Sequence, residues 1–497
     1  MGAAPATISK AVGVASPASP TTHRLAFNFL FLSGGELTAK LLTFATFGYL
    51  ARILGPEHYG FLEFTLAVMI FFTLPADLGL GAYGTREIAR HPDRALQLLR
   101  EITGLRLLLA ICSVVGLGVF IAVINKPPEL KLLLGFYGLS LLGGPFLLQW
   151  FFQAHDEMHW VGMASIVRQA AFTLVVFAFC RKGGRLTYLG IIECGSVFAV
   201  STFCLFIVKH KMGVQRPWPS LRNLTAHLSE SVPIGLAELA WAFMWYFCTV
   251  LLGFFYSYWT LGWFGASHRA VMALHTFVWL YFFNLLPSIS RCVPQPKLKL
   301  LKLMDDSIRM TAWVGLFLAS FLTVLAPLVL RIIYGPFFST ASKSFAVLVW
   351  MLPVAMLSGH HRYVLVAYRR QKQLLICTVI SAAVAVVLGF VLVPPFRGRG
   401  AAWALVIANV VNFVLVYIAA RKLVVHIPVH RQLAAPLLSL GAAALVYIGL
   451  LNWNPWLALA AATATYSLGL IWSDGPTAAS FFRSVLTRQP IAAPIPE

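Results

Sequence analysis

The sequence predicts an all-α, polytopic membrane protein of about 14 transmembrane helices, two six-helix halves plus a C-terminal helix pair. Three observations carry that reading. Only 11% of the 497 residues are charged and 59% are hydrophobic, with a mean hydropathy of +0.80. Soluble domains carry roughly a quarter charged residues, so this chain cannot coat a water-facing surface, which excludes a water-soluble enzyme. Apolar runs of about 20 residues, the length that spans a bilayer, recur from Leu25 to Trp472 without a gap the size of a soluble domain. Finally, the first and seventh runs align at an offset of 202 residues, placing Glu36 on Glu238 and Gly60 on Gly262.

Taken in order, residues 1–24 are rich in Ala, Pro, Ser and Thr and lack the apolar core of a cleaved signal, so they read as a disordered cytoplasmic tail. Spans 25–50, 61–83, 103–125, 131–153, 162–180 and 187–208 form the N-terminal half, 25–208. A basic cytoplasmic linker, 209–230, leads to spans 231–253, 259–287, 310–333, 344–367, 373–394 and 400–420, the C-terminal half, 231–420. Spans 433–451 and 455–472 make the additional pair within 421–475, and 476–497 is a cytoplasmic tail. Runs this long must close their backbone hydrogen bonds internally in lipid, so they are helices; the ten-residue alternation of a β-barrel is absent.

Lys and Arg set the orientation. Of 38, 24 fall in the segments facing the cytoplasm if the N-terminus is inside, 10 fall outside, and Lys40, Arg106, Arg269 and Arg362 lie within spans. The bias places both termini in the cytoplasm, with the Arg181–Arg185 cluster opposing it. The same distribution explains the net charge of +21 without nucleic acid, since no basic segment is interleaved with stacking aromatics. The seven cysteines have no paired spacing, so neither zinc nor disulfides are expected. There is no G-x-x-x-x-G-K-[ST], H-E-x-x-H or G-x-S-x-G motif, and no large extramembrane loop. The chain therefore reads as a carrier, not an enzyme. Its helix-breaking prolines, Pro75, Pro145, Pro233, Pro327 and Pro353, suit one that opens alternately to two faces.

An ionisable group at the bilayer centre costs about 2.5–3.5 kcal/mol on insertion scales and marks a candidate site. Glu36 and Lys40 share a helix face, either as a self-neutralising pair or as cavity-lining, proton-coupling charges. Asp77 follows Pro75 and precedes Gly79 and Gly81, so it either lines a loosened backbone or caps the helix beginning near Tyr83. Glu63 reads as hydrated near the outer interface. Glu238 follows Pro233, and His268, Arg269, Met272 and His275 cover adjoining turns of the eighth span. Arg269 suits bidentate phosphate binding, or else snorkels to the outer face. His360, His361 and Arg362 are expected to border the cytoplasm.

Several ordered segments resemble the polysaccharide-export flippases, the O-antigen or Wzx-type branch of the superfamily that also holds lipid II flippases and multidrug and toxin extrusion exporters. They are 50–60 (LARILGPEHYG), 77–81 (DLGLG) leading to 85–90 (TREIAR), 150–154 (WFFQA), 334–338 (YGPFF), 367–372 (AYRRQK) and 398–402 (GRGAA). One departure is Met244-Trp245-Tyr246-Phe247, where family members often carry a polar or acidic residue. The resemblance implies movement of an undecaprenyl-pyrophosphate-linked oligosaccharide across a bacterial inner membrane. Lys40 and Arg269 are then the candidate phosphate contacts, with Arg52 at the outer rim and His268 and His275 beside Arg269. Trp245 and Trp279 are candidate sugar-stacking rings. Glu36, Glu238 and Asp77 are candidates to carry a coupling proton or sodium ion, and no other cofactor is expected. The expected partners are the lipid-linked substrate, membrane lipids and a polysaccharide polymerase, around a monomeric protein. The alternative is a cation-coupled multidrug antiporter, which two cavity cations would suit poorly.

Overall fold

The computed structural model describes residues 22–211, 220, 223–293 and 295–487. The terminal tails up to residue 21 and from 488, and residues 212–219, 221 and 222 of the 209–230 linker, lie outside the described residues. The apolar runs form helices in the order α1 (Thr22–Asp77), α2 (Leu80–Arg90), α3 (Ala95–Val123), α4 (Pro128–Leu139), α5 (Gln149–Ala154), α6 (Met158–Phe179), α7 (Thr187–Lys211) and α8 (Leu224–Phe255). There follow α9 (Tyr258–Cys292), α10 (Lys297–Val324), α11 (Ala326–Tyr334), α12 (Ser342–Leu348), α13 (Met351–Ala367), α14 (Gln371–Leu423), α15 (Val429–Leu451) and α16 (Pro455–Thr487).

Among the described residues, twelve helical segments are long and apolar enough to cross a membrane. Two of them, Gly34–Arg90 and Gln371–Leu423, run to 57 and 53 residues, far beyond one crossing. Each contains two of the predicted spans. A break interrupts each: Gly55 at φ 71° in α1, followed by Pro56, and Arg397 at φ 53° in α14, just after Pro394 and Pro395. Around the Arg181–Arg185 cluster the spans end at Phe179 and restart at Thr187, within a few residues of the predicted bounds. The predicted span 131–153 is not one helix. It breaks into α4, two short 3₁₀ turns at 140–142 and 144–146, and α5, because Gly143-Gly144-Pro145 combines conformational freedom with a missing N–H.

The chain divides into two compact units, Met1–Ala242 and Phe243–Glu497, the divide falling inside α8. In the first unit, α1 and α6 meet backbone to backbone, since a Cβ on Gly35 would lie 2.7 Å from the Gly162 Cα. Leu80, Ile102, Trp150, Phe152 and Cys204 fill the core below. In the second unit the additional helix pair is fastened to α10 by apolar and polar contacts together. Trp313 and Tyr466 pack edge to face at 5.0 Å. The buried Asp474 accepts hydrogen bonds from Arg309 Nη1 and Trp313 Nε1, both at 2.8 Å. Gln432 of α15 donates to Asp305.

Candidate functional site

The broken α4–α5 segment shapes a charged recess in the first unit. Its irregular backbone frees carbonyls that a continuous helix would use, and such backbone is tolerated at membrane depth only where it lines a cavity or is covered by protein. Here the cavity is about 390 Å³, and its wall includes Asp77, Arg106, Tyr137, Pro145, Arg168, Glu193 and Trp241. Arg106, only 9% exposed, extends from α3 and places its Nε 2.7 Å from Asp77 Oδ1. Its Nη1 reaches the carbonyls of Pro145 and Leu147, each at 3.4 Å. A second ion pair, Arg168 of α6 with Glu193 of α7, lines the same cavity.

Asp77 sits where α1 ends. Leu78 and Gly79 adopt φ of 47° and 75°, and the Gly81 amide donates to Asp77 Oδ2 at 3.4 Å, so the carboxylate both pairs with Arg106 and steadies the start of α2. The reversal is possible because Gly79 meets Gly235 of α8 closely; a Cβ on Gly79 would lie 2.7 Å from the Gly235 nitrogen. One turn beyond Gly235, Glu238 feels the Asp77 carboxylate. Two predicted coupling acids thus act on each other, and Arg106 pairs with one of them, Asp77.

The third predicted acid, Glu36, is apart from these. It accepts a hydrogen bond from Ser165 at 2.8 Å, and Ser165 in turn accepts one from Gln149 at 3.1 Å. Lys40 does not pair with it among the described residues; Lys40 and Arg52 are both exposed. In the second unit Trp245 is 2% exposed and lies against His275 at 5.0 Å and His268 at 6.3 Å. Phe264 stacks on His268 at 5.9 Å. Arg269, half-buried, follows on the same helix, and Arg362 of α13 acts electrostatically on His275. Trp279 lies outside this cluster, 43% exposed and stacked on Phe283.

Two expectations are corrected. Glu63, read as hydrated, is buried, because the α1 face after the Gly55 break packs inward. His360 and His361, read as bordering the cytoplasm, are both buried: His360 Nε2 lies 2.7 Å from Ser307 Oγ, which also meets Tyr281. Their position late in α13 suggested water, but α9 and α10 cover His360, and Phe413 and Tyr417 of α14 pack edge-on against His361. The sequence reading did not single out Arg106 as a site residue, and it placed Arg168 in a cytoplasmic segment; both are mid-helix cations whose acids, Asp77 and Glu193, lie on other helices. It also missed Glu101, buried against His227 Nε2 at 2.8 Å, with Tyr83 on the other imidazole nitrogen at 3.0 Å.

Apolar helices enclosing a recess with two ion pairs define a multi-pass helical membrane protein. Residues 25–293, more than half of the chain, match the family described as polysaccharide biosynthesis protein, and the chain belongs to that family. It is 21% identical over 405 residues to the Escherichia coli (strain K12) protein named "Putative O-antigen transporter", covering 80% of this chain and 97% of that one. Among solved structures, it shares its fold with the lipid II flippase MurJ in an inward closed conformation (TM-score 0.72, 13% identity, 92% of this chain and 100% of that one). It is also similar to an inward-facing multidrug resistance MATE family transporter of the MOP superfamily (TM-score 0.65, 15% identity, 77% and 94%). The family agrees with the resemblance carried by the sequence motifs.

Proposed function

We propose that the protein is a flippase that moves undecaprenyl-pyrophosphate-linked oligosaccharide repeat units across the bacterial inner membrane by alternating access, for cell-surface polysaccharide synthesis. The observation that carries this reading is the recess in the first unit, a mainly apolar cavity into whose wall the ion pairs of Arg106 and Arg168 are set. A diphosphate and its sugars cannot cross hydrocarbon unaided, and guanidinium groups held by carboxylates at membrane depth offer a route in which charge is already compensated. The O-antigen transporter relative and the family membership support a polysaccharide cargo. In this reading α1 and α14 each cross twice, at the Gly55 and Arg397 breaks, giving fourteen crossings with both termini in the cytoplasm. Lys40, Arg269 and Arg52 contact phosphate, and His268 and His275 support Arg269. Trp245 and Trp279 face sugars as the carrier opens. Glu238, beside the Arg106-paired Asp77, takes the coupling proton or sodium ion, with Glu36 as a second carrier. The protein acts as a monomer that hands its cargo to a polymerase.

The test is surface polysaccharide in cells whose own copy is deleted and replaced by variants. Wild type restores it; Arg106→Ala, Lys40→Ala and Arg269→Ala, inserted at wild-type level, do not. Normal surface polysaccharide in all three variants contradicts the proposal, and cation-dependent drug resistance without any effect on polysaccharide favours the antiporter.

A further inference from the structure

We propose that a second recess, in the second unit, binds the phosphate of a lipid head group. The recess is about 470 Å³ and is lined by Thr323, Ser342, Lys343, Arg399 and Trp403, among others. Three chain segments converge there: the end of α10, the start of α12, and α14 just past its break. The break is what aims Arg399. Arg397 adopts φ 53°, and Gly400 lies so close to the Leu392 carbonyl that a Cβ would overlap it at 1.9 Å, so only glycine permits the reversal.

The chemistry of the lining is that of an anion site at a membrane surface. Lys343 and Arg399 are both exposed, and among the described residues neither has a hydrogen-bond or ion-pair partner. The hydroxyls of Thr323 and Ser342 stand beside them, and no acid lines the recess. The segments 325–343 and 394–403 bring four cations, Arg331, Lys343, Arg397 and Arg399, and no Asp or Glu. On the orientation proposed above this end faces outward, where basic residues are ordinarily scarce; that clause alone rests on the functional reading. Arg397 lies over the Tyr256 ring at 5.8 Å, whereas Lys343 and Arg399, on the sparse side and with no acid beside them, leave room for an anionic occupant. Trp403, half exposed in the wall, is the amphipathic ring expected at head-group depth. A guanidinium and an ammonium beside the Ser342 hydroxyl match a phosphate, which accepts charge-assisted hydrogen bonds; the Thr323 hydroxyl donates to the Ala319 carbonyl instead.

The shared chemistry is a phosphate, supplied either by a bilayer phospholipid or as a free phosphate or diphosphate group. The full-length protein in detergent is titrated calorimetrically with short-chain phosphatidylglycerol, with phosphatidylcholine of the same chains, and with inorganic pyrophosphate. Phosphatidylglycerol is expected to bind about tenfold or more tighter than phosphatidylcholine. Lys343→Gln/Arg399→Gln removes the difference, whereas Arg331→Gln, at the same end but outside the recess, keeps it. The charge-conserving Lys343→Arg/Arg399→Lys also keeps it, which separates lost binding from lost folding. Pyrophosphate binding that the double variant loses assigns the site to the bare phosphate group. Phosphatidylglycerol binding without pyrophosphate binding assigns it to a bilayer lipid. Binding of neither, or a preference that survives in the Gln double variant, overturns the proposal. Because the readout is binding alone, that failure leaves polysaccharide export untouched as a separate question.

Discussion

Replacing Arg106 with Ala tests whether the first-unit recess is held by its ion pair. The change removes the 2.7 Å contact to Asp77 and two weaker contacts to the Pro145 and Leu147 carbonyls. Leaving one partner of a buried pair uncompensated costs about 3–5 kcal/mol. Asp77 retains 27% side-chain exposure in the cavity, so water hydrates part of the stranded charge and the expected loss falls to roughly 2 kcal/mol. Asp77→Asn in the same background removes that charge and recovers most of the loss. The assay is a double-mutant cycle on the unfolding of purified protein in detergent, followed by tryptophan fluorescence. A coupling energy of at least about 1 kcal/mol is expected; independent sites add to within about 0.3–0.5 kcal/mol. Coupling inside that margin refutes the pair as a structural element of the recess.

Three further outcomes follow from the geometry. Gly79→Val, at φ 75° and facing the Gly235 backbone, lowers stability by about 2 kcal/mol or more in the same assay, while Gly34→Ala, with nothing within 4 Å of its Cβ, changes it little. Asp474→Ala leaves Arg309 with Asp305 alone, strands the Trp313 indole and loosens the additional helix pair, which protease sensitivity after Arg421 and Lys422 reports; resistance equal to wild type contradicts that fastening. A cysteine at Lys182, in the loop between α6 and α7, reacts with an impermeant maleimide added to whole spheroplasts; reaction only after lysis reverses the orientation.

The sequence made the helices legible because length and apolarity alone decide them in lipid. Span edges near Phe179 and Thr187 fell within a few residues of expectation, even beside the contrary Arg181–Arg185 cluster. Positive φ at Gly55 and Arg397 breaks α1 and α14 between the spans read there, 25–50 and 61–83, and 373–394 and 400–420. What the sequence hid was the break inside 131–153, which the structure divides into α4, two 3₁₀ turns and α5. The site was legible one residue at a time. Asp77 was visible from its proline and glycines, but its partner Arg106 is on another helix, and pairing across helices leaves no spacing in the chain. The same holds for Arg168 with Glu193, and for Glu101 with His227. His360 and His361 show the opposite error: a polar residue near a span's end suggests water, yet α9 and α10 cover His360 and Phe413 and Tyr417 of α14 pack against His361.

Transbilayer movement itself is the direct measurement. Purified protein is reconstituted into liposomes holding a polyprenyl-diphosphate-linked oligosaccharide, and the fraction reached by an impermeant glycosidase outside is followed over time. Wild type is expected to expose the inner-leaflet pool that protein-free liposomes keep protected, and Arg106→Ala to leave it protected. A protected pool with wild type, in both insertion orientations and with a proton or sodium gradient of either sign imposed, would contradict the account.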